Sequence, residues 1–289
     1  MLHERVNVVT GQEDAFAVAR DACAEIARLR DPDRHLCAMF LPPAVRAHAF
    51  VLIAFNYELS RATALPVSSA VTGPMAGLIR LQWWRDVIEE PERGIQARHD
   101  VAIAVAALLT EGWVAADALL LMADAREAEL CRVADRQAWR RMVLDSSGGM
   151  QRMIAGLLGE HDEAVLDVVA QAGAAFAVGA LRRHLPEVLR SGRMPLPSEA
   201  LVELGLRADG EAADLFEVGR LEQVSAWLRQ EGTALLPVRR QIRSKGARLA
   251  MLPGVLAARD LRRGDVAMTE TGRGIGDRLA VAAAGLTGR

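Results

Sequence analysis

The stretch Arg30–Pro43, R-D-P-D-R-H-L-C-A-M-F-L-P-P, decides how the rest of the chain is read. Ala54–Arg61, A-F-N-Y-E-L-S-R, follows it, and then Gly77–Asp86, G-L-I-R-L-Q-W-W-R-D. Prolines punctuate the segment. Asp31-Pro32 stops a first helix, because a residue before proline is pushed out of the α region. Pro42-Pro43 opens a second helix, since proline is tolerated in a first turn. That helix runs from about Pro43 to Ala64 with a stripe of His48, Val51, Leu52, Phe55, Leu59 and Ala62, and apolar residues on its other faces predict burial around most of its circumference. Pro66 ends it, a loop runs to Gly73, and Pro74 opens a third helix through about Glu90.

Outward from this segment the pattern stays helical. Phe16, Ala19, Cys23, Ile26 and Ala27 follow helical spacing over about Gln12–Arg30. Further helices are expected near 98–110, 115–130, 135–158 and 163–190, the last kinked or ended at Pro186. Residues 192–197 read as an extended connector. Helices near 198–206, 210–231, 233–244 and 247–263 complete the chain. No strand alternation and no repeat is found. The expected fold is all-α: one multi-helix domain over 12–263, with a loose lead-in over 1–11 and a Gly-rich tail over 264–289 that is poorly ordered in part.

The composition narrows the function. A net charge of −2 gives no bulk attraction to nucleic acid. Lys245 is the sole lysine, so nearly every cation is an arginine, the side chain that binds carboxylate and phosphate bidentately. Cys23, Cys37 and Cys131 are odd in number and widely spaced, which predicts reduced thiols and neither a disulfide framework nor a zinc site. No signal peptide is read at the N-terminus. The longest apolar run is placed near Val101–Leu109, short of a bilayer span. A cytoplasmic location with at most a peripheral membrane contact, at the inner membrane, is expected.

Polar groups set in apolar helices are the candidate sites. Arg85 falls among Leu78, Leu81, Trp84 and Ile88, so it either clamps an anion or pairs with a carboxylate such as Glu58. Trp83 and Trp84 read as packing. Asn56, Glu58 and Arg61 interrupt the second helix, and a Glu58–Arg61 pair fits its surface. Arg80 and Asp86 flank Arg85. Arg182, Arg183 and His184 stand late in a helix, where cations complement the dipole or could gather an anion. Gly272–Gly276 follows no strand and opens no evident helix, so it is not read as a nucleotide loop. Asp145–Gly149 reads as a helix break or close-packing point.

These motifs resemble the squalene/phytoene synthase family. The later A-L-R-R-H-L-P-E-V-L-R-S-G-R-M-P-L-P, Ala180–Pro197, is similar to that family's second signature. The resemblance covers about residues 14–260 and implies an isoprenoid-synthase-type helical bundle around a central cavity. Active members condense prenyl diphosphates on magnesium held by two Asp-rich motifs. The positions matching the first motif are Ser60, Arg61 and Ala64. Those matching the second are His184 and Val188, with Ala177 and Ala180 upstream. The Asn56-Tyr57-Glu58-Leu59-Ser60-Arg61 run and Ile79–Asp86 resemble the branch of the family that contains the mitochondrial complex I assembly factor and its bacterial relatives. The resemblance therefore implies a non-catalytic protein that binds a prenyl-diphosphate or lipid-like ligand, or a protein partner in respiratory-complex assembly, with no cofactor expected. The alternative is an active prenyltransferase with magnesium on displaced ligands Glu58, Asp86 and Glu187.

Overall fold

The structure is a computed structural model that describes residues 2–63, 74–217, 219–264 and 273–288. Among these, every regular element is helical: α1 (Leu2–Arg30), α2 (Pro32–Ala38), α3 (Pro43–Ala62), α4 (Pro74–Glu89), α5 (Pro91–Gln96), α6 (Asp100–Thr110), α7 (Ala116–Leu130), α8 (Arg136–Val143), α9 (Gly149–Leu157), α10 (Glu163–Arg183), α11 (Leu185–Arg190), α12 (Ser198–Glu203), α13 (Arg220–Leu235), α14 (Lys245–Ala250), α15 (Leu252–Arg262) and α16 (Ile275–Thr287). The all-α expectation holds. Ala64, the 66–73 loop and Gly272 lie outside the described residues.

Several boundaries differ from the sequence reading for local reasons. The first helix starts at Leu2, taking in the stretch read as a lead-in. Asp31-Pro32 both stops α1 and starts α2, because the Asp31 side chain caps the amide of Arg34 while Pro32 occupies the first turn. The helix expected over 233–244 does not form. Leu236, before Pro237, is extended at φ −74°, ψ 112°, as a residue before proline must be. The tail is not irregular throughout: Gly274 stands at the N-cap of α16.

Helix α10 is the axis of the bundle. It packs on α15, α13, α9 and a π-turn at Leu144–Gly148. By length and composition it is apolar enough to cross a membrane, unlike the short run near Val101–Leu109 expected to be the longest. In this fold it is a core helix, with Val169, Ala172, Ala174, Ala175 and Val178 fully or almost fully buried. On the other side α3 lies against α1, α6, α4 and α7. It buries Val51, Leu52, Ile53, Phe55 and Leu59, as its apolar circumference predicts. Trp84 is buried edge-on against Phe55 at 5.2 Å, so it is packing, while Trp83 stays partly exposed.

The Asp145–Gly149 stretch is a close-packing point, as read. A Cβ at Gly148 would stand 2.6 Å from the carbonyl oxygen of Ala170, and one at Gly173 would stand 2.6 Å from that of Ser147. The two glycines let the π-turn and α10 touch backbone to backbone. Gly173→Ala is expected to destabilise by about 1–3 kcal/mol, because the forced shift outweighs the roughly 1 kcal/mol of helix propensity that alanine adds. Urea unfolding measures this, and a stabilised variant would mean that the contact is loose.

Candidate functional site

Where α2, the carboxyl end of α10 and the start of α16 converge, they enclose a cavity of about 770 Å³. Its lining includes Arg30, Asp31, Asp33, Arg34, Phe176, Arg183, His184, Glu187, Arg273 and Arg278. The α2 cap builds the floor. Asp31 accepts from the Arg34 amide at 3.1 Å and pairs with its guanidinium at 2.7 Å. Arg34 is itself buried, with its guanidinium 4.4 Å over the Phe176 ring and a hydrogen bond to the Ser147 hydroxyl. Ser147 reaches it because the π-turn carries that hydroxyl to the carbonyl of Gly173, to which it donates at 2.7 Å.

Arg273 builds the wall. It donates to Asp33 at 2.8 Å and to both oxygens of Asp260 at 2.5 and 2.7 Å, and stands 3.5 Å from Asp277. One guanidinium thus joins α2, α15 and α16. Asp277 is also held by Arg259 at 2.5 Å and Arg263 at 2.6 Å. Burial disfavours its charge, but these arginines outweigh burial and bring its pKa down to about 2.

A second polar layer lies deeper, between α3 and α7. Arg126 donates to Glu129 at 2.8 Å and to the Asn56 side-chain oxygen at 3.0 Å, and Arg193 donates to Glu129 at 3.1 Å. Burial disfavours ionised Glu129, yet Arg193 and Arg126 prevail and hold its pKa at about 2. The space beside this cluster is about 20 Å³, and the apolar space behind Arg34 is about 10 Å³. The latter is at most the size of one water molecule.

The structure distributes the expected site residues differently from the sequence reading. Of them, the cavity lining takes in Arg183 and His184, with Glu187 bonded to His184 at 2.8 Å. Asn56 faces Arg126 instead. Glu58 pairs with Arg61 at 3.2 Å, as the spacing predicts. Arg85 is the structural ion pair, but its partners are Asp124, at 2.7 Å, and Glu127 on α7 rather than Glu58. Arg80 is exposed. Asp86 accepts from Gln82 at 2.8 Å and pairs with Arg93 at 3.4 Å. Arg182 is buried and donates to the carbonyls of Asp260 at 2.6 Å and Ser225 at 3.3 Å, tying α10 to α15 and α13. Arg30, Asp31, Asp33, Arg34 and Arg273 also line the cavity and are not among the residues expected from the sequence. The charge-rich R-D-P-D-R run across a helix break was the available signal for the first four.

Comparison with known proteins follows from this architecture. The sequence profile of squalene/phytoene synthases matches residues 27–284. The chain belongs to the squalene/phytoene synthase family. Among curated relatives of this family member, human NADH dehydrogenase (ubiquinone) complex I, assembly factor 6 is 31% identical over 125 residues, which is 42% of this chain and 33% of the relative. The mouse protein of that name is 26% identical over 195 residues, 64% of this chain and 54% of the relative. The match therefore spans a third to about half of these relatives. Two solved structures share the family fold. Squalene synthase HpnC from Alicyclobacillus acidocaldarius has a TM-score of 0.59 at 15% identity, covering 94% of this chain and 95% of that one. A dehydrosqualene synthase in complex with ligand has a TM-score of 0.62 at 12% identity, covering 96% and 98%.

The magnesium that the family implies does not fit the donors at the matching positions. Ser60 spends its hydroxyl on the Tyr57 carbonyl at 2.7 Å, Arg61 is a cation and Val188 is apolar. Divalent magnesium needs several hard oxygen ligands, with carboxylates among them, and these positions offer one neutral hydroxyl and no carboxylate. Nor do the displaced ligands converge: Glu58 and Asp86 are engaged by Arg61 and Arg93, whereas Glu187 lies at the cavity with His184. Among the described residues no group of three or more His, Cys, Asp or Glu side chains could hold a metal ion.

Proposed function

We propose that this chain is a non-catalytic member of its family that acts as an assembly-type protein and holds an anionic ligand, prenyl-diphosphate or lipid-like, through arginines and without a metal. The observation that carries the reading is the cavity lining, five arginines against three carboxylates. Arginine binds phosphate oxygens directly and bidentately, so cations at the site can take the place of a metal-bridged diphosphate. The relatives named as complex I assembly factors support the assembly role. Such a role would bring the chain to a protein partner at the surface of a respiratory membrane.

Calorimetric titration with inorganic diphosphate and with farnesyl diphosphate, in EDTA and then with Mg²⁺, tests the reading. Binding in EDTA that Mg²⁺ does not strengthen is expected, weakened about tenfold or more in Arg183→Gln, as for loss of a charge-assisted hydrogen bond. Binding that requires Mg²⁺, with release of diphosphate from the prenyl substrate, would replace this reading with a synthase. No binding of either compound would remove the ligand from it and leave the protein partner.

A further inference from the structure

Helix α16 turns Asp277, Val281 and Ala284 inward. Its opposite face is apolar and bare: Ile275 is 77% exposed, Leu279 62% and Leu286 80%. At about 100° per residue these three fall within roughly 40° of one another and form one stripe along the helix. Single exposed leucines need no explanation, but a co-facial row on one helix marks a contact surface.

The charge around the stripe identifies the contact. Residues 239–248, R-R-Q-I-R-S-K-G-A-R, carry five cations and no carboxylate. This segment abuts the carboxyl end of α16: Arg239 donates to the carbonyl of Ala284 at 3.2 Å, and a Cβ at Gly288 would stand 3.6 Å from the Arg248 guanidinium. Arg240, Arg243 and Lys245 are exposed. Glu160, which bonds Ser244, offsets part of that charge. Near the amino end of the helix, exposed Arg278 lies beside the stripe. An apolar row on a convex helix, with cations at both ends, matches acyl chains beneath a layer of anionic head groups.

We propose that α16 and the basic segment 239–248 form a docking surface for an anionic lipid bilayer. Arg278 lines the cavity as well, but Leu279, Leu286 and the basic segment do not, so substitutions there test the surface apart from the cavity reading.

Flotation of the full chain with vesicles of phosphatidylcholine alone, and of phosphatidylcholine mixed with phosphatidylglycerol, tests it. Binding to the mixed vesicles is expected, with little to the neutral ones, and salt should weaken it. L279E/L286E is expected to lower vesicle binding about tenfold or more, since two leucines no longer enter the acyl boundary. R240Q/R243Q is expected to lower it about fivefold per cation removed. All four side chains are exposed, so both variants should unfold at the wild-type temperature, and diphosphate titration should be unchanged. Failure of the wild-type chain to float with mixed vesicles would overturn the proposal, as would variants that float like wild type. A concentration-dependent dimer abolished by L279E/L286E, with vesicle binding intact, would assign the stripe to a second copy of the chain and also overturn it.

Discussion

Arg273→Ala is expected to lower stability by about 3–5 kcal/mol, the range for removing one partner of a buried charge cluster. The guanidinium joins Asp33, Asp260 and Asp277, and Asp260 and Asp277 are 3% and 1% exposed. Without it Asp260 keeps Arg263 at 3.3 Å and Arg183 at 3.9 Å, which are weaker contacts than the fork it loses. Arg273→Lys retains one charge but not the planar fork that spans two carboxylates, so it should fall between wild type and alanine. The loss has a location as well as a size. Arg273 holds the start of α16 to α2 and α15, so amide exchange should rise first across 275–287. Asp277 supplies the pH sign. Its folded pKa is depressed to about 2, so its stabilisation is complete above the ordinary carboxylate range and is lost as pH falls through about 2. In the wild-type protein α16 should therefore stay docked at pH 5 and loosen between roughly pH 4 and pH 2. A variant within about 1 kcal/mol of wild type in urea, with α16 protected, would mean that water already serves these carboxylates.

The fold was legible because its signals are local. Prolines at 32, 43 and 74 stand in first turns of helices, and the apolar circumference of α3 is buried as its sequence requires, whereas Pro253 starts α15 and divides the single helix expected over 247–263. The Glu58–Arg61 pair was legible for the same reason, being one turn apart on one helix. The cavity was not legible, because its residues are brought together across the chain. Arg273 meets Asp33 from 240 positions away, and no periodicity encodes that meeting. The motif positions lie among the polar residues of α3 and α4, yet Asn56 and Arg85 both turn toward α7, to Arg126 in one case and to Asp124 and Glu127 in the other. Which carboxylate an arginine finds depends on helix–helix packing. That is why an ion pair for Arg85 could be anticipated and its partner could not. Likewise, no helix is evident in the sequence after Gly272–Gly276, yet Gly274 stands at the N-cap of α16.

Glu129→Gln is expected to destabilise by about 3 kcal/mol, toward the low end for a buried pair, because the half-buried Arg126 and Arg193 would share a neutral amide. Linkage gives a second, independent size. A carboxylate brought from its ordinary 4.5 to about 2 contributes roughly 3 kcal/mol. Its sign is fixed by the depressed pKa: the contribution is fully present above about pH 4.5 and disappears as pH falls through about 2. Urea unfolding of both proteins across this range should give curves that lie apart at pH 6 and approach each other toward pH 2. Parallel curves would assign the acid transition to other carboxylates, Asp277 first among them. The same substitution bears on function. Arg126 feels the positive charge of Arg34, which floors the cavity, so the deep cluster and the cavity share one electrostatic field. Removing the carboxylate makes that field more positive. If arginines rather than a metal hold the ligand, folded Glu129→Gln protein should bind diphosphate at least as tightly as wild type. A marked loss of affinity without unfolding would instead make Glu129 part of how the ligand is held.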